Sequence, residues 1–416
     1  MPEHGTLRLM LSKIPIVVFT PANMNAIDGS SVWAQTITLA LAGVNDVDVT
    51  LLLSHAITTD RMLGPLLRHP DITVIDPVAA SMTTNGPLTL DAAAEILAGM
   101  KVRGPQAFVV RGIEAAHRLA GQRALKGKVW PYLTDIPQRV GDIDEQARRR
   151  MSTIMGASPV LLCQTEELRS FLESHFPAVA GKGWLFPPAI PGEIEPVFLP
   201  PPTEDALLLC YSGKFARIWN TYEMCDLPTQ LAKRGIDARV TMVGDKVNQD
   251  PGWPEFVVEM REKLESSPGV SWVGGVSRER SIELMASAHI GLSWRSPELD
   301  DSLELSTKLL EYCAAGTPPI LNRTAMHEHI FGEGYPLFVD SNTPILDLLE
   351  SVTRNPLIYE RALELVSDLP ADYRLEKASG RLAEIIDTVL TSRSRAPRMR
   401  RSRSRVSRSP RAPWDG

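Results

Sequence analysis

The stretch ELSTKLLEYCAAGTPPI, residues 304–320, decides how the chain folds. Gly316 suits the left-handed residue that follows a helix, and Pro318 and Pro319 prevent the helix from continuing. The stretch therefore predicts a short helix that leads directly into a strand. Apolar side chains recur at the spacing of one helical face, which predicts that this face is buried. The apolar stripe consists of Leu305, Leu309, Tyr312 and Cys313.

The same helix carries charged side chains at a spacing of their own. Glu304, Lys308 and Glu311 form a second stripe. One interpretation is an exposed ion ladder worth about 0.3–0.5 kcal/mol per pair. The other interpretation is a binding site: Ser306 or Thr307 caps the helix, free backbone N–H groups attract a phosphate, and Lys308 adds charge. Glu311 would then accept hydrogen bonds from a ribose diol.

Composition indicates a soluble globular protein with more than one domain. The chain has 416 residues, which is too many for one hydrophobic core. Of these residues 44% are hydrophobic and 23% charged, as in globular proteins. The beginning, MPEHGTLRLMLSKIPIVVFT, has only one short apolar run, so we expect neither a signal peptide nor a membrane span, and a cytoplasmic location. The cysteines are far apart and indicate buried free thiols in a reducing compartment; they are Cys163, Cys210, Cys225 and Cys313.

Strand-like apolar runs alternate with helical segments on both sides of a proline-rich stretch, FPPAIPGEIEPVFLPPPTEDA (186–206). Such alternation predicts an α/β protein with doubly wound parallel sheets, and the proline-rich stretch predicts a linker. We expect two Rossmann-like domains that face each other across a ligand-binding cleft. The predicted segments are a first domain at 1–190, a linker at 191–206, a second domain at 207–370, a closing helix at 371–391 and a disordered basic tail at 392–416.

Two cations follow the first strand of the second domain. The stretch YSGKFARIWN (211–220) places Gly213 beyond the strand, followed by Lys214 and Arg217. Glycine lets a backbone approach a ligand closely, and Lys and Arg at a strand end can hold a diphosphate. The alternative is a turn with solvated cations, since no phosphate-loop motif accompanies them.

The stretch at 304–320 resembles the signature of family 4 retaining glycosyltransferases, Pro-x-Lys-Leu-x-Glu-Tyr-x-Ala-x-Gly-x-Pro-Val-Ile, whose fold is GT-B. The resemblance extends to ASAHIGLSWRSPELDDSLELS (286–306) and YSGKF (211–215). In the first domain it includes CQTEELRSFL (163–172) and WLFPPAI (184–190). It thus touches most of the chain between 14 and 390 and is specific at 304–320.

The resemblance implies that several positions of the second domain contact a nucleotide-sugar donor. If each position has the role of its counterpart in the family, the ribose lies at Glu311 and the diphosphate at Lys308 and Lys214. The nucleobase then lies at Val273 and Gly274, and the sugar at Arg295 and the loop 296–301.

The chain departs from the family's pattern at several positions. The first residue of the family's Glu-x7-Glu pair falls at Leu303, with Asp301 and Glu304 nearby. The family's second cation falls at Asn220, for which Arg217 would substitute. Because of these departures, an alternative function is that of a glycosyltransferase-like protein that binds nucleotide sugars but has weak or no catalytic activity.

Polar residues at strand ends of the first domain predict the acceptor side of the cleft. They are Asp28, Gly29, Ser30, Arg111 and Asp135. Arg111 would hold a phosphate or carboxylate, and Asp135 would orient a sugar hydroxyl. The alternative for each is a structural role, because such residues often cap the following helix.

Metal binding is not expected. His327 and His329 stand two apart, whereas two ligands on one helical face need a spacing of four. The acidic stretch PELDD is better interpreted as a substrate-contacting or solvated loop. GT-B enzymes need no metal in the active site, so the resemblance implies no cofactor beyond the donor substrate.

The resemblance therefore implies a metal-independent retaining transfer from a nucleotide-diphosphate sugar to a hydroxyl acceptor. The residues expected to be catalytic are Lys214, Arg217, Lys308 and Asp135. An alternative enzyme is a GT-B sugar-nucleotide epimerase, which needs carboxylates and a His poised for acid–base work.

The tail is chemically distinct from the rest of the chain. Residues 392–416 contain nine Arg and one Asp, whereas the whole chain has a net charge of -6. We expect a disordered segment, which either is simply solvated or binds the anionic inner face of a membrane. Nonspecific contact with nucleic acid or phosphorylation of an Arg-Ser tract is less favoured.

Overall fold

The computed structural model describes residues 13–84, 86–100, 106–191, 194–202 and 206–391. The tail predicted to be disordered, 392–416, lies outside the described residues, as does part of the predicted linker. Within the described ranges, no helix combines the length and apolar character needed to cross a bilayer.

The first domain is a parallel sheet with helices on both faces. The sheet order is β3-β2-β1-β4-β5-β6-β7, with strands β1 (Ile14–Thr20), β2 (Val47–Leu53), β3 (Ile72–Ile75), β4 (Ala107–Arg111), β5 (Val129–Tyr132), β6 (Leu161–Cys163) and β7 (Gly183–Leu185). The helices are α1 (Gly29–Ala42), α2 (Gly64–Leu67), α3 (Leu90–Gly99), α4 (Ile113–Ala120), α5 (Glu145–Ala157) and α6 (Glu166–His175).

The second domain repeats this architecture with six strands. The sheet order is β10-β9-β8-β11-β12-β13, with strands β8 (Leu207–Ser212), β9 (Ala238–Val243), β10 (Val270–Gly274), β11 (Ile290–Ser293), β12 (Pro319–Asn322) and β13 (Phe338–Val339). The helices of this domain are α7 (Thr221–Met224), α8 (Leu227–Ala232), α9 (Phe256–Ser266), α10 (Arg278–Ala286), α11 (Thr307–Ala315), α12 (Ala325–Phe331), α13 (Ile345–Arg354) and α14 (Pro356–Ser367). A last helix, α15 (Leu375–Ile386), follows them along the chain.

Strand β1 shows why its sequence is apolar throughout. Ile16 and Val18 pack into the core on one face of the sheet, whereas Val17 and Phe19 pack into the core on the other face. A parallel strand covered on both sides has no solvent-facing position, so hydrophobic residues do not alternate with polar ones. The prediction of doubly wound parallel sheets is confirmed.

The chain crosses from one domain to the other twice, and the two crossing segments lie next to each other. The backbone N–H of Ile190, just after the first sheet, donates to the carbonyl of Tyr373 at 2.9 Å. Beyond Tyr373, helix α15 returns to the first domain, where Ala378 and Leu382 are buried in the same core as α1. The closing segment therefore contributes to the core of the first domain.

Strand order reverses between β1 and β4 in the first sheet and between β8 and β11 in the second. At such a reversal the loops diverge beyond the carboxyl ends of the strands and leave a crevice for a ligand. Arg111 lies at the end of β4, and Arg295 follows β11 closely. The topology thus brings residues distant in sequence to facing strand ends.

Helix α11, predicted from the apolar stripe, packs on the second sheet, and Tyr312 also joins it to the sheet by hydrogen bonds. The Tyr312 hydroxyl accepts a hydrogen bond from the Ser212 backbone N–H at 3.1 Å and donates to the Cys210 carbonyl at 3.0 Å. Gly316 ends the helix in the left-handed region with φ 83°, as predicted. A Cβ atom at Gly291 would lie 2.5 Å from the Tyr312 ring, so only glycine leaves space for that ring.

We expect Gly291→Ala to lower the free energy of unfolding by about 1–3 kcal/mol, because the added methyl overpacks the buried ring. Urea unfolding measures this effect. Gly380→Ala adds the same methyl at an exposed position of α15 with nothing within 4 Å and should stabilise by about 0.5–1 kcal/mol. Equal effects of the two substitutions would contradict the proposed seating of α11.

Candidate functional site

A cleft of about 710 Å³ lies between the two domains. Most of the residues that the sequence proposed as a site line it: Gly29, Ser30, Arg111, Asp135, Lys214, Arg295, Glu304, Ser306, Thr307, Lys308 and Glu311. The structure thus brings together side chains from both sheets at the carboxyl ends of their strands. Arg217, Val273, Gly274 and Asp301 are not among the lining residues.

Gly213 lines the floor of the cleft, and Gly244 of the neighbouring strand end packs against its backbone. Gly213 follows β8 with φ 147°, and Gly244 follows β9 with φ 140°. A Cβ atom at Gly244 would lie 2.1 Å from the carbonyl oxygen of Gly213, so the two backbones can approach only without side chains. Gly244 is therefore needed for close packing of two backbones, whereas the approach of a ligand to Gly213 stays a prediction.

Lys308 points from the first turn of α11 toward this floor. Its Nζ lies 4.2 Å from the centroid of the Tyr211 ring and 4.3 Å from that of Trp219. Burial, together with the charges of Lys214 and Arg295, lowers the pKa of Lys308 to about 7. Within the described ranges no carboxylate lies within ion-pair distance of this ammonium, so the rings are its main attractive partners.

Two further cations of the cleft are desolvated in the same way. Burial lowers the pKa of Lys214, and burial also lowers the pKa of Arg295. The Arg295 backbone is fixed by the Asn322 side chain, with hydrogen bonds of 2.9 Å in both directions. Its Nε and Nη2 atoms, however, are buried without a hydrogen-bond partner among the described residues. Buried donors of this kind call for an acceptor.

The N-terminus of α11 adds partial positive charge to this group. Ser306 is the N-cap residue, but its side chain makes no capping hydrogen bond. Ser306 and Thr307 both line the cleft, as the three cations do, so the N-terminus of the helix opens on the same space. A helix terminus and adjacent cations together form an anion-binding arrangement.

Glu304 corrects one sequence expectation. The predicted stripe placed Glu304, Lys308 and Glu311 on one helical face, but α11 begins at Thr307. Glu304 lies before the helix, where it accepts a hydrogen bond from the Gln138 side chain of the first domain at 3.0 Å. Burial raises its pKa. This carboxyl therefore faces the first domain, away from any ladder on α11.

Glu311 is also not part of an exposed ladder. Glu311 is only 8% exposed, and its Oε1 accepts a hydrogen bond from Arg278 Nε at 2.7 Å. Arg278 is itself only 5% exposed. Sequence reasoning missed Arg278, because an arginine that follows the helix-capping Ser277 is usually solvated. No local pattern distinguishes a buried arginine at a helix start from an exposed one.

Arg217 and Asp301 are engaged elsewhere. Arg217 was expected to hold phosphate, but it pairs with Asp250 at 2.7 Å and with Glu298 at 3.1 Å. Asp301 pairs with Arg139 of the first domain at 2.7 Å. Glu298 and Asp301 of the acidic loop are thus paired with arginines, and Arg217 already has two carboxylate partners.

Val273 and Gly274 end β10 beside the strand-end glycines but outside the cleft lining. The side chain of Val273 is 40% exposed. The Gly274 carbonyl accepts the Gly244 backbone N–H at 2.8 Å. A contact of these residues with a nucleobase therefore stays a prediction.

The first domain forms the opposite wall. Asp28 caps α1 by accepting the Ser30 and Ser31 backbone N–H groups at 2.9 and 3.1 Å. Its other oxygen pairs with Lys246 of the second domain at 3.0 Å. Lys246 follows the strand-end Gly244, a pattern like that of Gly213 and Lys214 that sequence reasoning overlooked. Asp28 therefore both caps a helix and bridges the domains.

Arg111 and Asp135 stand at strand ends of the first sheet. The Arg111 guanidinium carbon lies 5.8 Å from the Trp33 ring centroid and 5.6 Å from the Tyr132 ring centroid. Asp135 is exposed and has a left-handed backbone with φ 60°, a conformation often found at functional sites. Both residues are thus positioned to meet a ligand in the cleft.

The two histidines of α12 have separate structural contacts. His327 is buried with its Nδ1 2.7 Å from the Asn322 carbonyl oxygen, and His329 lies 2.6 Å from Glu167 of the first domain. In the part of the chain that the structure describes, no group of three or more His, Cys, Asp or Glu residues could hold a metal ion.

Comparison with known proteins agrees with this architecture. Residues 226–364 match a protein-family model described as glycosyl transferase-like. Sucrose-phosphate synthase from Thermosynechococcus elongatus superimposes with a TM-score of 0.68 at 15% identity, over 91% of this chain and 100% of that one. Anabaena HepE, solved in complex with UDP and glucose, has a TM-score of 0.64 at 11% identity, over 90% and 99%. A glycosyltransferase from Rickettsia africae has 0.62 at 13%, over 91% and 99%.

No curated protein matches the sequence significantly. The structural likenesses establish the GT-B fold, with two Rossmann-like domains. Together with the family match, they confirm the resemblance to GT-B glycosyltransferases that the stretch at 304–320 indicated.

The burial of Lys308 predicts a pH dependence of stability. Its folded pKa of about 7 lies below the unfolded value, so above pH 7 the unfolded state binds more protons and stability rises with pH. Relative to Lys308→Met, which cannot titrate, the wild-type free energy of unfolding should rise by about 1.4 kcal/mol per pH unit between pH 7.5 and 9. Urea unfolding of both proteins measures the difference. Parallel curves would show that Lys308 is not desolvated.

Proposed function

We propose that this chain, with its GT-B fold and a second domain that matches a glycosyl transferase-like family, transfers a sugar from a nucleotide-diphosphate sugar to a hydroxyl acceptor. The observation that carries the proposal is the group of desolvated cations, Lys214, Arg295 and Lys308, at the N-terminus of α11. Within the described residues none of them has a carboxylate partner. A diphosphate supplies the missing negative charge and the missing hydrogen-bond acceptors.

The donor is proposed to lie along the second domain. Its diphosphate contacts Lys308, Lys214 and the backbone N–H groups at the start of α11. Glu311 accepts hydrogen bonds from the ribose, and the nucleobase extends toward the end of β10. Anabaena HepE, which shares the fold, was solved with UDP-glucose, and this supports a nucleotide sugar as the ligand class.

The transfer is proposed to retain the anomeric configuration. The bond from the anomeric carbon to the diphosphate breaks, and the acceptor oxygen bonds to the same face of that carbon. The acceptor proton moves to the departing diphosphate. The cations stabilise the charge that develops on this leaving group, which is expected to be the largest protein contribution, and they serve in place of a metal. Comparing the anomeric signals of donor and product by NMR tests retention.

The acceptor is proposed to bind against the first domain. Gly29 and Ser30 at the start of α1, together with Arg111 and Asp135, form this wall of the cleft. Asp135 is exposed and suited to orient a hydroxyl. The buried carboxyl of Glu304 lies between the two substrate regions.

Two other functions are alternatives on the same fold. An epimerase needs an acid–base pair that commonly includes His, and the described lining of the cleft contains no histidine. A binding protein without turnover is favoured by Leu303, which replaces the family's first Glu. Measuring the release of free nucleotide separates this alternative from the enzyme.

We expect Lys308→Met to weaken binding of the donor about 10–100-fold at pH 7, because one charge-assisted contact to the diphosphate is lost. Calorimetry with a panel of UDP-, ADP- and GDP-sugars measures this effect. Lys233→Met removes the same charge from an exposed position after α8 and should leave binding unchanged. Unchanged binding and turnover in both Lys308→Met and Glu311→Ala would contradict the proposal.

A cytoplasmic protein at the inner face of a membrane is proposed from the basic tail. Each basic residue near an anionic bilayer contributes about 1 kcal/mol, and the segment 392–416 has nine Arg. We expect the full chain, but not a chain ending at Thr391, to co-sediment with vesicles containing phosphatidylserine. Equal sedimentation of the two proteins would exclude this role.

A further inference from the structure

The buried arginine Arg278 joins the site of the second domain to a helix of the first. It is the first residue of α10 and is 5% exposed. Its Nε donates to Glu311 at 2.7 Å, and its Nη1 lies 3.2 Å from both Gln35 Oε1 and Thr36 Oγ1 on α1. One guanidinium thus holds the proposed ribose-binding carboxylate and the opposite domain at once.

The partners on α1 are themselves fixed. Gln35 is 3% exposed and Thr36 is 6% exposed. The Gln35 side-chain N–H donates to the Met62 carbonyl at 2.8 Å, which directs its oxygen to Arg278. The arginine is therefore anchored by buried side chains of the first domain, one of which is itself held by a hydrogen bond.

One donor of the guanidinium has no partner. Nη2 of Arg278 is buried and makes no hydrogen bond among the described residues. In a guanidinium, Nε and Nη2 lie on the same edge, so Nη2 lies on the side of Glu311, which lines the cleft. An unpartnered buried donor beside a carboxylate offers complementary contacts to a vicinal diol.

We propose that Arg278 is a positioning residue for the donor's ribose. It keeps Glu311 paired and oriented toward the cleft, and it makes this orientation depend on contact with α1. Ribose recognition is thereby coupled to the approach of the two domains. This inference rests on the proposed function, because it assumes that a nucleoside diphosphate occupies the cleft.

The test compares the affinity for UDP with the affinity for 2′-deoxy-UDP. If ADP or GDP binds more tightly than UDP, that nucleotide and its 2′-deoxy form are used instead. The wild type should prefer the ribonucleotide by about tenfold or more, the value of one hydrogen bond to a charged group. Arg278→Met should bring the preference close to parity, and Arg278→Lys should retain part of it. Arg280 is an exposed arginine on the same helix. Its substitution, Arg280→Met, is the matched control and should keep the full preference for the ribonucleotide.

Gln35→Leu covers the case in which Arg278→Met fails to fold, since it leaves the Arg278–Glu311 pair intact. It should reduce the ribose preference about threefold or more while the protein remains folded by circular dichroism. A merely structural role would weaken both nucleotides alike and leave the preference unchanged in every variant, which would overturn this inference alone. A wild type that binds none of UDP, ADP and GDP would overturn the proposed function itself.

Discussion

Lys308 and Arg295 of the second domain line the same cleft and are only partly exposed, and this partly desolvated positive charge is the constraint on which the site depends. Within the described residues neither side chain has a carboxylate partner, and two nitrogen atoms of Arg295 have no acceptor. Burying unpaired charge costs several kcal/mol per group. A bound anion would offset this cost of burying unpaired positive charge, so the arrangement favours a site that is completed by an anion.

The fold explains how the cations meet. Reversal of strand order between β8 and β11 opens a crevice at their carboxyl ends, and Arg295 follows β11. Tyr312 holds α11 against the backbone of β8, which places Lys308 over the glycine-lined floor. The first domain faces this group through its own strand reversal, and Lys246 and Asp28 connect the two sides at 3.0 Å.

Much of this arrangement could be predicted from sequence, and the rest depends on tertiary contacts. Apolar runs and the Gly–Pro ending of 304–320 sufficed for the sheets and for α11, since those signals are local. The charged stripe was interpreted on too long a helix, so Glu304 was misplaced. The ion pairs of Arg217 with Asp250 and Glu298 could not be predicted, because these partners are remote in sequence. Arg278 was missed because only the fold buries it.

A crystal structure of the chain with a bound nucleotide-diphosphate sugar tests the central claim most directly. We expect a diphosphate within hydrogen-bond distance of Lys308 Nζ and of the first backbone N–H groups of α11, with the ribose at Glu311. A diphosphate bound elsewhere, with the cations still unpaired or paired by a part of the chain outside the described residues, would contradict it.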